Sequence, residues 1–442
     1  MMIINKIKLL TNNKEFLRYF SNTSWLLGEK LLRLTLGVFI GIWIARYLGP
    51  ERFGIFNYVQ SYVALFTAIA TLGLDNIIVR ELVKSQSARD ELLGTAFVLK
   101  LIGAVVTLVL LGMTLWLQTS DSQTTLYVYI IASTTIFQSF NVIDFYFQSK
   151  VLSKFVVFSN IISLLISSII KLFLILNDAP LIAFFYVVLF DSLILSLGFI
   201  FFYFYNRLSF LNWSFNKNLA IVLLKDSWPL ILSGIIVSIY IKIDQVMLKE
   251  MIGNEAVGVY AAAVRLSEVW YFIPVVICSS LFPALIDARK QSENLYYDRL
   301  QTIYSLMSFI AIIIALSMTF LSNWLIHLLY GVEYYQAGKV LMIHIWAGIF
   351  VFIGVASGKW LLVENLQIIS IVNTAFGAIV NIVLNYIFIK KIGVEGAAWA
   401  TLVSYFLAAY LSLCFWKKTR INFINISKSL LFIKSLNIKR NN

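Results

Sequence analysis

The chain has 442 residues, of which 60% are hydrophobic and only 13% are charged. A soluble domain is nearer half apolar and a quarter charged, so this composition excludes a soluble globular protein and marks an integral membrane protein. The net charge of +13 follows the membrane loops rather than one face, so no nucleic-acid partner is expected.

Met1–Phe20 carries Lys6, Lys8, Lys14 and Arg18 and no short apolar run ending in small residues, so no cleaved leader is expected. A helix needs about 20 apolar residues to cross the hydrocarbon core. That window places twelve spans, at 23–45, 55–74, 92–116, 124–147, 155–176, 181–205, 219–241 (or to 248), 256–285, 303–325, 338–362, 366–389 and 394–416. Most are apolar on every face and few alternate, which favours helices over a β-barrel. The longest loops are 206–226 and 286–302, and no extramembrane domain fits between the spans. Cys278 and Cys414 lie far apart in apolar segments and read as small buried side chains. The tail 417–442 mixes Lys and Arg with Ile, Leu and Phe; it reads as an amphipathic segment on the inner leaflet or as a disordered, topology-fixing tail.

Lys and Arg set the orientation. With the N-terminus inside, the inner segments hold 22 of them and the outer loops five: Arg46, Arg52, Lys249, Lys390 and Lys391. Both termini are therefore expected in the cytoplasm.

One stretch occurs twice. Leu48-Gly49-Pro50-Glu51-Arg52-Phe53-Gly54-Ile55-Phe56 and Ile252-Gly253-Asn254-Glu255-Ala256-Val257-Gly258-Val259-Tyr260 share the order apolar, Gly, any, Glu, any, apolar, Gly, β-branched, aromatic, at a constant offset of 204. Glycine suits a tight turn at positive φ, and the glutamate suits the first turn of the next helix. Six spans separate the copies, so they face the same side and form a parallel repeat. This divides the chain into a cytoplasmic N-terminus (1–22), an N-lobe (23–205), an inter-lobe linker (206–226), a C-lobe (227–416) and a basic cytoplasmic tail (417–442).

No P-loop, HExxH, CxxC or GxSxG motif is present, so neither ATP hydrolysis by this chain nor a bound cofactor is expected. The informative residues are ionisable groups inside spans, each costing at least about 2.5–3.5 kcal/mol at a helix centre unless paired or hydrated. They are Glu29, Lys30 and Arg33 in the first span, Lys100 in the third, Asp144, Lys171 and Asp191 in the fourth to sixth, Lys242 and Asp244 in the seventh, Arg265 and Glu268 in the eighth, and His344 and Lys359 in the tenth. Glu29–Arg33 and Arg265–Glu268 have the spacing of local ion pairs, and Lys30, Asp144 and Lys359 that of snorkelling groups. Lys242 and Asp244, two apart, point to different faces of one helix. His344 reads first as a packing residue and second as a proton carrier. Cations outnumber anions slightly, a weak hint of anionic cargo. Many of the aromatics suit the interfacial belts, and some suit stacking on sugars or packing on a lipid tail. At the equivalent places of the first lobe, Val38 and Ile40 stand where Lys242 and Asp244 stand in the second.

Trp25…Glu29-Lys30…Arg33, Ala45-Arg46-Tyr47-Leu48-Gly49-Pro50-Glu51-Arg52-Phe53-Gly54 and Leu72-Gly73-Leu74-Asp75…Arg80-Glu81-Leu82 resemble the start of O-antigen type polysaccharide flippases. These belong to the multidrug/oligosaccharidyl-lipid/polysaccharide exporter superfamily. Trp228-Pro229-Leu230, Ile243-Asp244, Gly258-Val259-Tyr260 and Ala262-Ala263 resemble the family's seventh and eighth helices, and Gly393-Val394-Glu395-Gly396-Ala397-Ala398-Trp399-Ala400-Thr401 its turn into helix twelve. The resemblance implies an all-α MATE-like fold, with two pseudosymmetric six-helix lobes around a central cavity, in a bacterial cytoplasmic membrane. It implies cargo of undecaprenyl-pyrophosphate-linked oligosaccharide among membrane lipids, moved by alternating access, with a polysaccharide polymerase and a chain-length regulator as companions. On that reading Arg33, Lys242, Arg265, Lys30 and Lys100 meet the head group, while Asp244, Glu268, Asp191 and Glu29 couple an ion or balance charge. Three other functions compete: a MATE-type drug/cation antiporter, a membrane polymerase or glycosyltransferase, and a peptidoglycan-precursor flippase. The first wants an acidic excess. The second wants a large outer loop, where 322–338 is the longest here. The third tends to have two more helices.

Overall fold

The computed structural model describes residues 14–431 other than 86, 119 and 120, with side chains from residue 21 onward. Among these residues there are helices and no strands.

The first helix, α1 (Lys14–Ala64), is broken where the repeated motif begins: Gly49 has φ 69 and ψ 170, outside helical space. Its apolar part, Ser21–Ala64, is 44 residues long. At 1.5 Å per residue that is about 66 Å, roughly twice the hydrocarbon thickness, so the two arms are two crossings. Among the described residues, counting continuous helices gives ten long enough to span, and an eleventh if Val332–His344 and Ala347–Val363, bent by 45°, form one span. Taking the arms of α1 separately gives the expected twelve.

Several spans are less regular than a uniform apolar run predicts. After α1, the chain makes α2 (Thr67–Thr71), turns through Leu72 (φ 53) and Gly73 (φ 60), and resumes as α3 (Asp75–Lys84). A side chain at Gly73 would put its Cβ 2.8 Å from that of Leu230, so the left-handed turn and the close approach both require glycine. The helices α4 (Arg89–Leu117), α5 (Ser122–Ala132), α6 (Thr134–Gln138), α7 (Val142–Ser149), α8 (Lys154–Leu176) and α9 (Leu181–Tyr205) follow, with α5 to α7 making one interrupted span.

The 206–226 stretch is not an open linker. Trp213 packs on Phe97 and donates its indole N–H to Tyr203, the Asn216 backbone N–H donates to the Thr95 hydroxyl at 3.0 Å, and α10 (Lys217–Met251) has already begun. The 286–302 loop is likewise mostly helix: α11 (Asn254–Glu268) leads into α12 (Phe272–Gln291), and Ser292 caps α13 (Glu293–Tyr330). The remaining helices are α14 (Tyr335–His344), α15 (Ala347–Val363), α16 (Gln367–Ile392), α17 (Val394–Ala409) and α18 (Arg420–Leu430).

The chain forms two compact units. The first holds residues up to Tyr47 together with Val59–Ser238; the second holds Leu48–Tyr58 and the chain from Ile239 on. The division therefore falls within α10, not at 206–226 where the sequence reading puts the inter-lobe linker. In the first unit, Ile78 and Leu82 of α3, Leu93 of α4, Phe147 of α7 and Tyr203 of α9 pack into one core.

In the second unit the two copies of the repeated motif meet. A Cβ at Gly54 would overlap the carbonyl oxygen of Asn254, and one at Gly258 would overlap that of Pro50. The contact is reciprocal, backbone on backbone, as small residues permit between membrane helices. The segment 420–430 is not disordered. It is the helix α18, docked on α13: Tyr304 donates to Asn422 at 2.6 Å, and Gln301 donates to Ser429 at 2.6 Å. Residues 432–442 of that tail lie outside the described part.

Candidate functional site

The charged residues are best taken unit by unit. In the first unit, α1 places Glu29 and Arg33 one turn apart, and Arg33 Nε donates to Glu29 Oε1 at 2.7 Å. The spacing expected to give a local pair does so. The guanidinium is thereby oriented through one nitrogen, and its two terminal nitrogens bind no other group among the described residues. The Arg33 side chain is 48% exposed. Glu29 lines a cleft of about 330 Å³ with Trp25, Gly28 and Ile161. Lys30 lies on the exposed face of the same helix.

Lys100 is 2% exposed, the opposite of a snorkelling group. Its ammonium donates to Asp75 at 3.1 Å and sits 4.6 Å from the centroid of Phe145. Ion pair and ring face together offset the cost of the buried charge. Asp144 is within electrostatic range of Asp75, Lys100 and Glu29, so these four belong to one charged cluster. Asp191 is held separately, with the Ser163 hydroxyl 2.5 Å from Oδ1. Beyond the spans, Lys84 and then Arg80 donate to Glu81 and hold its carboxyl below the ordinary range, while Arg80 also reaches Asp226 at 2.8 Å.

In the second unit, Asp244 is 3% exposed. Tyr260 and Thr401 each donate a hydroxyl to Oδ2 at 2.7 Å, and Asn385 donates its amide to Oδ1. Asn385 also donates to Asn381, and Asn381 to Ser404. Three helices, α11, α16 and α17, thus aim neutral donors at one carboxylate on α10. No Lys or Arg among the described residues pairs with it. Lys242, on another face of α10, is half-buried, as are Arg265 and Glu268. Arg265 and Glu268 do not form the ion pair that their spacing allows. Instead Lys242, Asp244 and Arg265 all lie within electrostatic range of Glu268. His344 is buried, with Nδ1 2.9 Å from the Ser267 hydroxyl and its ring edge-on to Tyr260, a packing role. Lys359 lies over the ring of Phe282 at 5.1 Å.

Residues 20–289 match the profile of a family described as polysaccharide biosynthesis protein. The chain belongs to the polysaccharide biosynthesis protein family. Residues 229–387 also match the MatE profile. No curated protein sequence matches this one. Among solved structures, the chain is similar to the lipid II flippase MurJ in an inward closed conformation, with TM-score 0.71 and 16% identity over 92% of this chain and 90% of that one. It is also similar to an inward-facing multidrug resistance MATE family transporter of the MOP superfamily, with TM-score 0.70 and 14% identity over 90% and 95%. At such identities the likeness carries the fold: this member of the polysaccharide biosynthesis family has the MATE-like fold of transporters and flippases, not that of an enzyme.

For this family member the sequence marked the charges and missed their neutral partners. Around Asp244, Tyr260 and Thr401 entered only as motif residues without a role, and Asn385 went unmarked. A signal was present in α16, where Asn373, Asn381 and Asn385 recur at spacings of eight and four inside an apolar span, all buried. Asp75, the partner of Lys100, appeared only within the Leu72-Gly73-Leu74-Asp75 stretch that carries the family resemblance.

Proposed function

We propose that the protein is a flippase for undecaprenyl-pyrophosphate-linked oligosaccharide, of the O-antigen or capsule type, in a bacterial cytoplasmic membrane. It works by alternating access, with both termini cytoplasmic. The observation that carries this reading is Arg33. Its guanidinium is fixed by Glu29 through Nε, which leaves the two terminal nitrogens for a bidentate anion such as pyrophosphate. The family match spans 20–289 and so includes every cation assigned to the head group: Lys30, Arg33, Lys100, Lys242 and Arg265. MurJ, of the same fold, is a lipid II flippase.

In this scheme Asp244 is the first candidate for ion coupling, because its carboxylate is deeply placed and met by neutral donors only. Glu268, Asp191 and Glu29 balance charge around the cargo. Membrane lipids surround the protein, and a polysaccharide polymerase and a chain-length regulator use its product. Loss of the protein should strand lipid-linked repeat units on the inner leaflet and strip the surface of polysaccharide; an intact surface would refute the reading. Arg33→Ala, Lys242→Ala and Arg265→Ala should each leave the protein in the membrane yet block surface polysaccharide. Normal polysaccharide in all three would remove the head-group assignment.

A further inference from the structure

The second unit holds a cavity of about 360 Å³ for which the head-group cations have no use. Its walls come from α10, α11, α15, α16 and α17, and they combine two chemistries. Tyr240 and Tyr405 form an aromatic wall, with ring centroids 4.7 Å apart and planes 32° apart, and Phe350 adds a third ring. Glu268 is the only charged residue of the lining. Among the described residues nothing donates a hydrogen bond to it. Asn373 also lines the cavity; its Oδ1 accepts the indole N–H of Trp416 at 3.3 Å, which leaves its amide N–H₂ to donate inward.

An unmet carboxylate inside a membrane bundle costs several kcal/mol unless a ligand or a proton meets it. The lining says which ligand. A phosphate would meet Glu268 and no cation in the lining, since Lys242 and Arg265 lie outside it, and a plain acyl chain leaves Glu268 and Asn373 unmet. A pyranose ring satisfies both chemistries. Its C–H face stacks on tyrosine, its hydroxyls donate to the carboxylate, and a ring substituent accepts from the amide. The volume lies in the range of small-molecule sites.

We propose that this cavity is a sugar subsite that takes one pyranose ring of the transported oligosaccharide, with Tyr240 and Tyr405 as the stacking wall and Glu268 as the hydroxyl acceptor. The proposal rests on the flippase reading and adds to it a place where sugar identity is read.

The test uses the full-length protein in lipid nanodiscs. Saturation-transfer NMR is run with methyl glucoside, galactoside, rhamnoside and N-acetylglucosaminide, and pyrophosphate binding is measured separately. At least one pyranoside should bind, and Glu268→Gln and Tyr405→Ala should each weaken it about tenfold, the loss of one hydrogen bond to a charged group or one stacked ring. Tyr405→Phe should retain it. Pyrophosphate binding should be unchanged in Tyr405→Ala and weakened by Arg33→Ala. Pyrophosphate binding with no pyranoside bound overturns the subsite and leaves the flippase reading standing. So does pyranoside binding that none of the variants disturbs. Glu268-dependent binding of tetraphenylphosphonium in place of pyranosides also overturns it and makes the cavity a cation site. If the wild type binds neither pyrophosphate nor sugar, both proposals fall.

Discussion

Replacing Asp244 by asparagine separates the two things this residue could do. The carboxylate accepts three hydrogen bonds, two of them at Oδ2. A bond to a charged group contributes about 1.5–3 kcal/mol and a neutral one about 0.5–1.5. Converting the pair at Oδ2 from charged to neutral therefore loses about 2–3 kcal/mol. Against this, a charge taken out of water with no cation beside it costs several kcal/mol, a penalty the amide largely escapes. The donors also have somewhere else to go. Thr401 can donate to the Ala397 carbonyl at 3.0 Å, Tyr260 lies 3.1 Å from Thr401, and Asn385 keeps Asn381. The terms oppose, and the net change in stability should be within about 1 kcal/mol, a shift of a few degrees at most in a melting curve. Transport should respond very differently. In proteoliposomes loaded with lipid-linked oligosaccharide, an imposed proton or sodium gradient should accelerate the wild type and leave Asp244→Asn unaffected. A gradient response equal to wild type would refute the coupling role. Collapse of the melting curve would show that the charge holds the fold instead.

Two further perturbations probe the scaffold. Gly258→Ala drives a Cβ into the Pro50 carbonyl, with the Gly54 amide close behind, so backbone must move; a loss of about 1–3 kcal/mol is expected, read as lower melting temperature and yield. Gly28→Ala, where nothing lies within 4 Å, is the control, and equal behaviour of the two would dismiss the crossing as a packing constraint. Lys100→Met keeps most of the side-chain length but strands Asp75, which is 52% exposed and so partly relieved by solvent. The destabilisation should fall below the roughly 3–5 kcal/mol of a fully buried pair, and Asp75→Asn in the same chain should recover part of it. Strict additivity in that double-mutant cycle would mean that the two residues do not interact.

The spans were legible because the bilayer imposes a length and a polarity that composition alone reveals. The repeated turn was legible because glycine is the residue that makes both a positive φ at Gly49 and a backbone contact at Gly54. The charges stood out for the same reason: each is expensive in an apolar run. What escaped were groups whose cost is small on their own. Thr401 is an ordinary polar residue until the fold brings α17 against Asp244, and only the recurring asparagines of α16, Asn385 among them, hint at that meeting. Spacing also misled once. Arg265 and Glu268 are three apart on one helix, yet Glu268 lines a cavity and the pair is not made, because tertiary surroundings outweigh a helical neighbour worth only a few tenths of a kcal/mol. The docking of α18 was hidden for the reverse reason, since Asn422 and Ser429 look like tail residues until Tyr304 and Gln301 supply their partners.

The crossing of Gly54 and Gly258 also sets a clock on biosynthesis. The two glycines are separated by 204 residues. At about 5–20 residues per second, roughly 10–40 s pass between the emergence of the first and the arrival of the second. During that interval the tip of the first hairpin waits in the membrane with its glycine face uncovered, while six further spans are made. A ribosome that stops before residue 258 releases a chain whose first turn has no mate, however well its own helices have inserted. A check on assembly halfway through synthesis therefore falls to one of the earliest turns made.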